Sequence, residues 1–388
     1  MLSLDIGMVD PWDYKNNINH GFIQEVYDYH MQHPAFVRRP MTSFAIDFVH
    51  RILDVSYANA FIAVNFGLLF LCGMALFYLA KAFKQRDRNA YLAVVFFYLS
   101  FSILFAFGIP IYSYDEPFQY LFLLLTLLCA MKRWWIGFSV SFFLALFARE
   151  TSVLLIPGFV FFLMPNKKHA FTDIVFVRSV FAMLLATGAY LGAIYWFSVH
   201  SDYGTVAWEY MSDERFRHWM FNFQDGAHTL ESLVSFFVVL GLPLAMLRAF
   251  SRHFHLKKQV QRLLFAFVLS VIINTTFVFW AAKAQEARLF ALPLILVWPI
   301  LGKVCFLLWK LFIKEIRHIV RQWKHKKDRY DFLSKLCLCL MAIFFAAVCS
   351  FGVYEPINGA AFAFGYQIYL FTVFVVIVIY QVFSPTKK

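Results

Sequence analysis

The sequence predicts an all-α, polytopic membrane protein, and three observations carry that prediction. Of 388 residues, 61% are hydrophobic, 20% aromatic and only 15% charged, whereas soluble domains carry about 45–50% apolar and about 25% charged residues. The apolar residues come in long blocks rather than amphipathic stripes, the mark of a chain solvated by lipid. Fifty phenylalanines stand against sixteen glycines, without the apolar–polar alternation of barrel strands, which argues against a porin-like barrel. The same numbers exclude a soluble enzyme, a secreted disulfide scaffold and a disordered chain.

About eleven transmembrane segments are expected, at roughly 58–80, 90–111, 117–131, 134–148, 151–164, 175–199, 232–250, 263–282, 289–309, 335–353 and 367–383. Lys and Arg collect on the cytoplasmic side, so the basic loops around Lys81–Arg88, Lys132-Arg133, Lys167-Lys168, Arg252–Arg262 and Lys310–Arg329 are placed inside. The inner side then holds 26 basic and 5 acidic residues, and the outer side 9 basic and 18 acidic. Residues 134–164 are an almost unbroken apolar run, about 46 Å long as one helix and too long for a hydrocarbon core of about 30 Å. Two short passes with Arg149-Glu150 at the outer turn satisfy the charge rule. The chain reads as one integral membrane domain: an extracytoplasmic loop with juxtamembrane helices over 1–56, core helices over 57–199, an extracytoplasmic interfacial loop over 200–231, and C-terminal helices over 232–388. Residues 1–56 carry seven acids and four Lys/Arg with nothing apolar ahead of them, so a helix preceding residue 1 is expected.

The outer face holds the candidate site. Residues 41–55 put Phe44, Phe48, Val49 and Ile52 on one helical face, with Asp47, Arg51 and Asp54 elsewhere, as an amphipathic helix lying in the interface would. In 200–231, Trp208, Met211, Phe216, Trp219, Met220 and Phe223 share a face and predict a second such helix. Short outer turns concentrate the remaining charge: Asp115-Glu116, Arg149-Glu150, Glu286 with Arg288, and Glu355. Acids and arginines on one side, between two membrane-lying helices, suit a lipid-linked phosphate and a polar acceptor, because guanidinium forks match phosphate oxygens. Asp10 and Asp13, beside Trp12 and Tyr14, lie near the outer interface.

Other chemistry has no support. The six cysteines fall in apolar runs without ligand spacing. The seven outer histidines lack the close spacing of a metal site, and no Walker loop, dinucleotide fingerprint or GxSxG is present. No cofactor is indicated. The net charge of +12 sits in membrane-flanking loops, so the expected partner is the bilayer and not nucleic acid. Gly188 and Gly192 have the spacing that permits close helix approach.

The order of HPAFVRRPMTSFAIDFV (33–49), AFIAVNFGLLFL (60–71), DEPFQYLFLLLTLL (115–128) and LALFARETSVLLIPG (144–158), with a weaker echo at EARLFALPLILVWPIL (286–301), resembles bacterial multi-pass members of the C-type glycosyltransferase (GT-C) superfamily. The resemblance implies sugar transfer from a polyprenyl-phosphate donor on the extracytoplasmic side, in a bacterial inner (plasma) membrane. It also implies an acidic base early in the first outer loop, here Asp13 or Asp10, with Asp115 or Glu116 further choices among the residues. The substrate-binding residues expected are Asp115, Glu116, Arg149, Glu150, Glu286 and Arg288. The alternatives are a transporter or flippase, and a polysaccharide polymerase or ligase acting on the same class of lipid-linked substrate.

Overall fold

The computed structural model describes residues 20–32, 39–105, 114–164, 173–200, 218–322, 326–354 and 363–383, and among them there are helices and no β-strand. Two helices, α1 (His20–Gln32) and α2 (Pro40–Leu53), precede the long α3 (Tyr57–Ala82). Pro40 opens α2 at the position where its missing N–H costs nothing, and Asp54 closes it in the left-handed conformation (φ 48°) with its N–H on the His50 carbonyl. Ser56 caps α3 by accepting from the Asn59 N–H at 3.3 Å.

Shorter helices follow: α4 (Asp87–Tyr98), the single turn α5 (Phe101–Leu104), α6 (Glu116–Lys132), α7 (Trp135–Ala148), a 3-10 helix over Glu150–Leu155, and α8 (Ile156–Leu163). Then come α9 (Ile174–His200), α10 (Gly226–His253) and α11 (Lys258–Ala281). A second 3-10 helix, Ala287–Leu296, leads into α12 (Trp298–Gln322), and α13 (Lys326–Ala347) and α14 (Ala363–Phe383) complete the described chain.

The protein is an integral membrane protein of several passes, but the expectation of about eleven crossings is wrong. Among the described residues, six helices are long and apolar enough to cross: Tyr57–Ala82, Ile174–Phe197, Gly226–His253, Lys258–Ala281, Phe332–Val353 and Phe364–Phe383. The count rises to seven if the second 3-10 helix and the following Trp298–Arg317, bent by 81°, form one broken span. The difference lies between residues 87 and 163, where four expected crossings are helices of 17 residues or fewer. At 1.5 Å per residue even 17 residues reach only about 26 Å, short of the core thickness. Helix breaks at Leu99–Ser100 and Arg149 keep these helices from merging into longer ones. They stack on each other instead: α6 packs on both α3 and α7, and α4 on both α3 and α12.

The aromatic core lies among these short helices. Trp298 is fully buried and meets Phe97 edge-on at 4.9 Å and Tyr120 at 5.6 Å. Phe138, Phe142 and Phe159 continue the same packing through T-shaped contacts, the arrangement that suits ring quadrupoles. Outward faces are apolar as well: α9 exposes Phe181, Leu184 and Leu185, and α13 exposes Met341, Phe344 and Phe345. Lipid is the solvent those faces require.

The close helix approach is not at Gly188 and Gly192, which have nothing within 4 Å of an added Cβ. It is at Gly302, where a Cβ would lie 2.1 Å from the Asn89 carbonyl oxygen and 2.4 Å from the Ala93 nitrogen. Only glycine lets α12 sit this close to α4.

Candidate functional site

Four chain segments bring charged side chains to one end of the bundle. Arg39 precedes α2, Asp115-Glu116 open α6, Arg149-Glu150 fill the break between α7 and the first 3-10 helix, and Glu286 with Arg288 open the second. All six substrate-binding candidates read from the sequence fall in this group. Arg39 joins them without having been singled out. Asp10 and Asp13, Glu355 and most of the 200–231 loop lie outside the described residues.

Glu116 is the hub. Its Oε1 pairs with Nη1 of Arg149 and lies 3.0 Å from Nε of Arg288, and its Oε2 accepts the Tyr114 N–H at 3.1 Å. Arg288 also donates through Nη2 to Glu286 at 2.9 Å. Beside this knot, Arg39 holds Glu150 with two parallel bonds, Nε to Oε2 at 2.6 Å and Nη2 to Oε1. Nη1 of the same guanidinium lies 3.8 Å from Oδ2 of Asp115. The cluster thus alternates three guanidiniums with four carboxylates.

That imbalance shows in the titration of the acids. Burial alone would raise Glu116, but Arg149 and Arg288 outweigh it and hold the carboxyl down to about 2. Glu150 is likewise held below the ordinary carboxylate range, Arg39 outweighing its burial. Asp115 is the odd acid. It is as buried as Glu116, Arg39 only partly offsets the desolvation, and the neighbouring Glu116 charge adds to it, so its carboxyl is pushed up to about 6. Its Oδ1 has no hydrogen-bond partner among the described residues. Buried polar atoms are almost always satisfied, so this oxygen is aimed at something that the described residues do not supply.

Uncharged residues fix the geometry. Gln119, one turn into α6, donates to Thr151 Oγ1 and Ser152 Oγ at 3.0 and 2.9 Å, and Ser152 Oγ donates on to the Ala145 carbonyl. These bonds lock the Arg149-Glu150 break against α6. Ser43 Oγ lies 3.0 Å from Tyr114 Oη and ties α2 to the residue before Asp115. Asn222 clamps the approach to Glu286: its Nδ2 donates to the Phe279 and Ala282 carbonyls at 3.0 and 2.8 Å, and its Oδ1 accepts from the Ala284 N–H at 2.9 Å. Isolated amides in apolar surroundings were the available sequence signal for Gln119 and Asn222. Nothing comparable marked Arg39, whose partners are distant in the chain.

The amphipathic helix expected over 41–55 is present as α2, with Phe44, Phe48 and Ile52 exposed and Thr42, Ser43 and Ile46 buried. Its apolar stripe faces away from the protein, and Arg39, just before its first turn, belongs to the charged cluster. Among the described residues no three His, Cys, Asp or Glu side chains gather as a metal-ligand set. Compared with protein-family models, curated proteins and solved structures, the chain matches none.

Proposed function

We propose that the protein is a membrane glycosyltransferase that moves a sugar from a polyprenyl-phosphate donor to an acceptor on the extracytoplasmic face of a bacterial plasma membrane. One observation carries the reading: a largely buried cluster of three arginines and four carboxylates that reaches, through Arg39, the start of α2, a helix whose outward stripe is apolar. The stripe gives the prenyl chain an apolar path, and the arginines meet its phosphate. All three guanidiniums are already engaged, so the phosphate uses their remaining N–H groups; Arg149 Nε has no partner among the described residues. The ordered strings that resemble the GT-C superfamily point to the same chemistry.

In the transfer, the bond between the anomeric carbon and the phosphate oxygen breaks as the acceptor oxygen bonds to that carbon, through an oxocarbenium-like state. The acceptor proton passes to a carboxylate, and the leaving polyprenyl phosphate keeps the electron pair against the arginines. The resemblance nominates Asp13 or Asp10 as the base. Among the described carboxylates, Asp115 suits the role best, with one unpartnered oxygen and a protonation midpoint near the operating pH.

The test is incubation of membranes containing the chain with radiolabelled polyprenyl-phosphate sugars. Label passing to lipid, protein or polymer supports the reading. Donor uptake into proteoliposomes with no transfer would overturn it in favour of a transporter, and transfer of whole oligosaccharides would identify a polymerase or ligase.

A further inference from the structure

A second polar feature lies about a helix length from the cluster. The first turns of α3 carry Phe61, which stacks near Tyr114 at 6.0 Å beside Asp115, and the rest of α3 carries the chain about 32 Å, at 1.5 Å per residue, to the loop before Arg86. There a cavity of about 730 Å³ opens between the start of α4 and the second half of α12. Arg86, Arg88, Lys310, Lys314 and Arg317 line it, and among the described residues no acid does. Asp87, the nearest acid on α4, is held by Lys81, and Glu315 on α12 is not in the lining.

The cavity also has an apolar side. Phe306 sits under two of the cations, with the Arg88 guanidinium 4.1 Å and the Lys310 ammonium 4.5 Å from the ring centroid. Along α12, Phe306, Trp309 and Ile313 alternate with Lys310, Lys314 and Arg317 at helical spacing, so the wall changes from aromatic to cationic across one face. That gradation matches the boundary between acyl chains and headgroups, and basic pockets between helices on the positive side of a membrane take lipid head groups. Gly302 fixes the cleft by bringing the two helix backbones together.

We infer that this cavity binds the phosphodiester headgroup of an anionic phospholipid, with the cations on the phosphate and the aromatic wall against the glycerol and upper acyl chains. The inference does not depend on the proposed transferase activity. A surface that merely kept positive charge in water would need neither a concave shape nor an aromatic floor beneath its cations.

Native mass spectrometry of the full chain in detergent, titrated with phosphatidylglycerol or phosphatidylcholine, tests it. The expected result is retention of phosphatidylglycerol at least tenfold more tightly than phosphatidylcholine. The triple variant R88Q/K310Q/K314Q should lose at least tenfold of that binding, and R252Q/K257Q/K258Q, which removes the same charge elsewhere, should keep it within twofold. The five cations are exposed, and R86Q/R317Q at the rim provides a second test if the triple variant unfolds earlier on heating. Equal losses in both triple variants, equal binding of the two lipids, or displacement of phosphatidylglycerol by millimolar inorganic phosphate would each overturn the inference, the last by identifying a free-phosphate site.

Discussion

Arg39 and Glu150 stand 111 positions apart and meet as a fork-to-fork pair, the guanidinium giving two parallel bonds to the two carboxylate oxygens. The pair joins the interfacial helix α2 to the break after α7, and its third arm reaches toward Asp115. Arg39→Ala should therefore loosen α2 and leave Glu150 half-paired. Because the Glu150 side chain keeps 37% of its exposure, water recovers part of the loss, and a cost of about 1–3 kcal/mol is expected rather than the full 3–5 of a buried pair. Thermal unfolding of Arg39→Ala, Glu150→Ala and the double variant in detergent measures the coupling. Additive single effects would show that the two do not cooperate.

Glu116→Gln should be the more damaging change. It removes the carboxylate that Arg149 and Arg288 share, both largely buried, and leaves Arg288 with Glu286. The expected loss is about 3–5 kcal/mol, read as a lowered unfolding temperature or reduced yield of folded protein. Glu286→Gln, at the more exposed edge of the cluster, should cost far less. A reversed order would remove Glu116 from the centre of the cluster.

Asp115 separates catalysis from stability. Its folded pKa of about 6 lies above its ordinary value of 3.8, so its contribution to stability is fully present below about pH 4 and is lost as pH rises through 6. Asp115→Asn should thus be at least as stable as the parent chain at pH 7. If Asp115 is the base, the rate of sugar transfer rises with pH through about 6, and the Asn variant loses about 10²–10⁴-fold together with that pH limb. Should Asp115→Asn retain the parent rate while Asp13→Asn or Asp10→Asn does not, the base belongs to the N-terminal segment.

Gly302→Ala tests the tightest helix contact. Its added methyl meets the backbone of α4, which cannot rotate away, and overpacking of this kind costs about 1–3 kcal/mol. Gly188→Ala and Gly192→Ala, with open space around them, should be neutral or slightly stabilising, since alanine is the better helix former. Equal effects at all three positions would contradict the packing of α4 on α12.

The charge distribution makes a prediction about sidedness. With α10 crossing once, Gln224→Cys should react with an impermeant thiol reagent in intact cells and Lys257→Cys should not, each read above the native-cysteine background. The opposite pattern would place the arginine–carboxylate cluster on the cytoplasmic side.

What could be read from the sequence divides along physical lines. Apolar content reveals the solvent, and the split of the 134–164 run at Arg149-Glu150 coincides with a real break in the helix. Lengths were harder. The stretch 90–111 has the composition of a crossing, yet α4 ends at Tyr98, and among the described residues a break at Leu99–Ser100 and the single turn α5 follow. Alternating charge cannot distinguish a helix that traverses lipid from a shorter one that packs inside the bundle. The short charged turns were visible as Asp115-Glu116, Arg149-Glu150 and Glu286 with Arg288, because charges at the ends of apolar runs stand out. Arg39 was hidden by its distance from Glu150, and Gly302 by the absence of a second small residue at the spacing that a motif would show.

The second 3-10 helix has a consequence for how the protein is made. Its residues from Phe290 to Leu296 are buried in protein, and its Leu289 carbonyl is satisfied by Asn274 of α11 at 2.9 Å. A stretch with poor internal hydrogen bonding cannot rest in hydrocarbon on its own, so it has no stable place in the bilayer before its neighbours arrive. α10 and α11, which flank it, leave the ribosome first and can insert as ordinary helices. Insertion of 287–296 is then a step of assembly rather than of partitioning, and the charged cluster is complete only when that step has delivered Arg288 to Glu116.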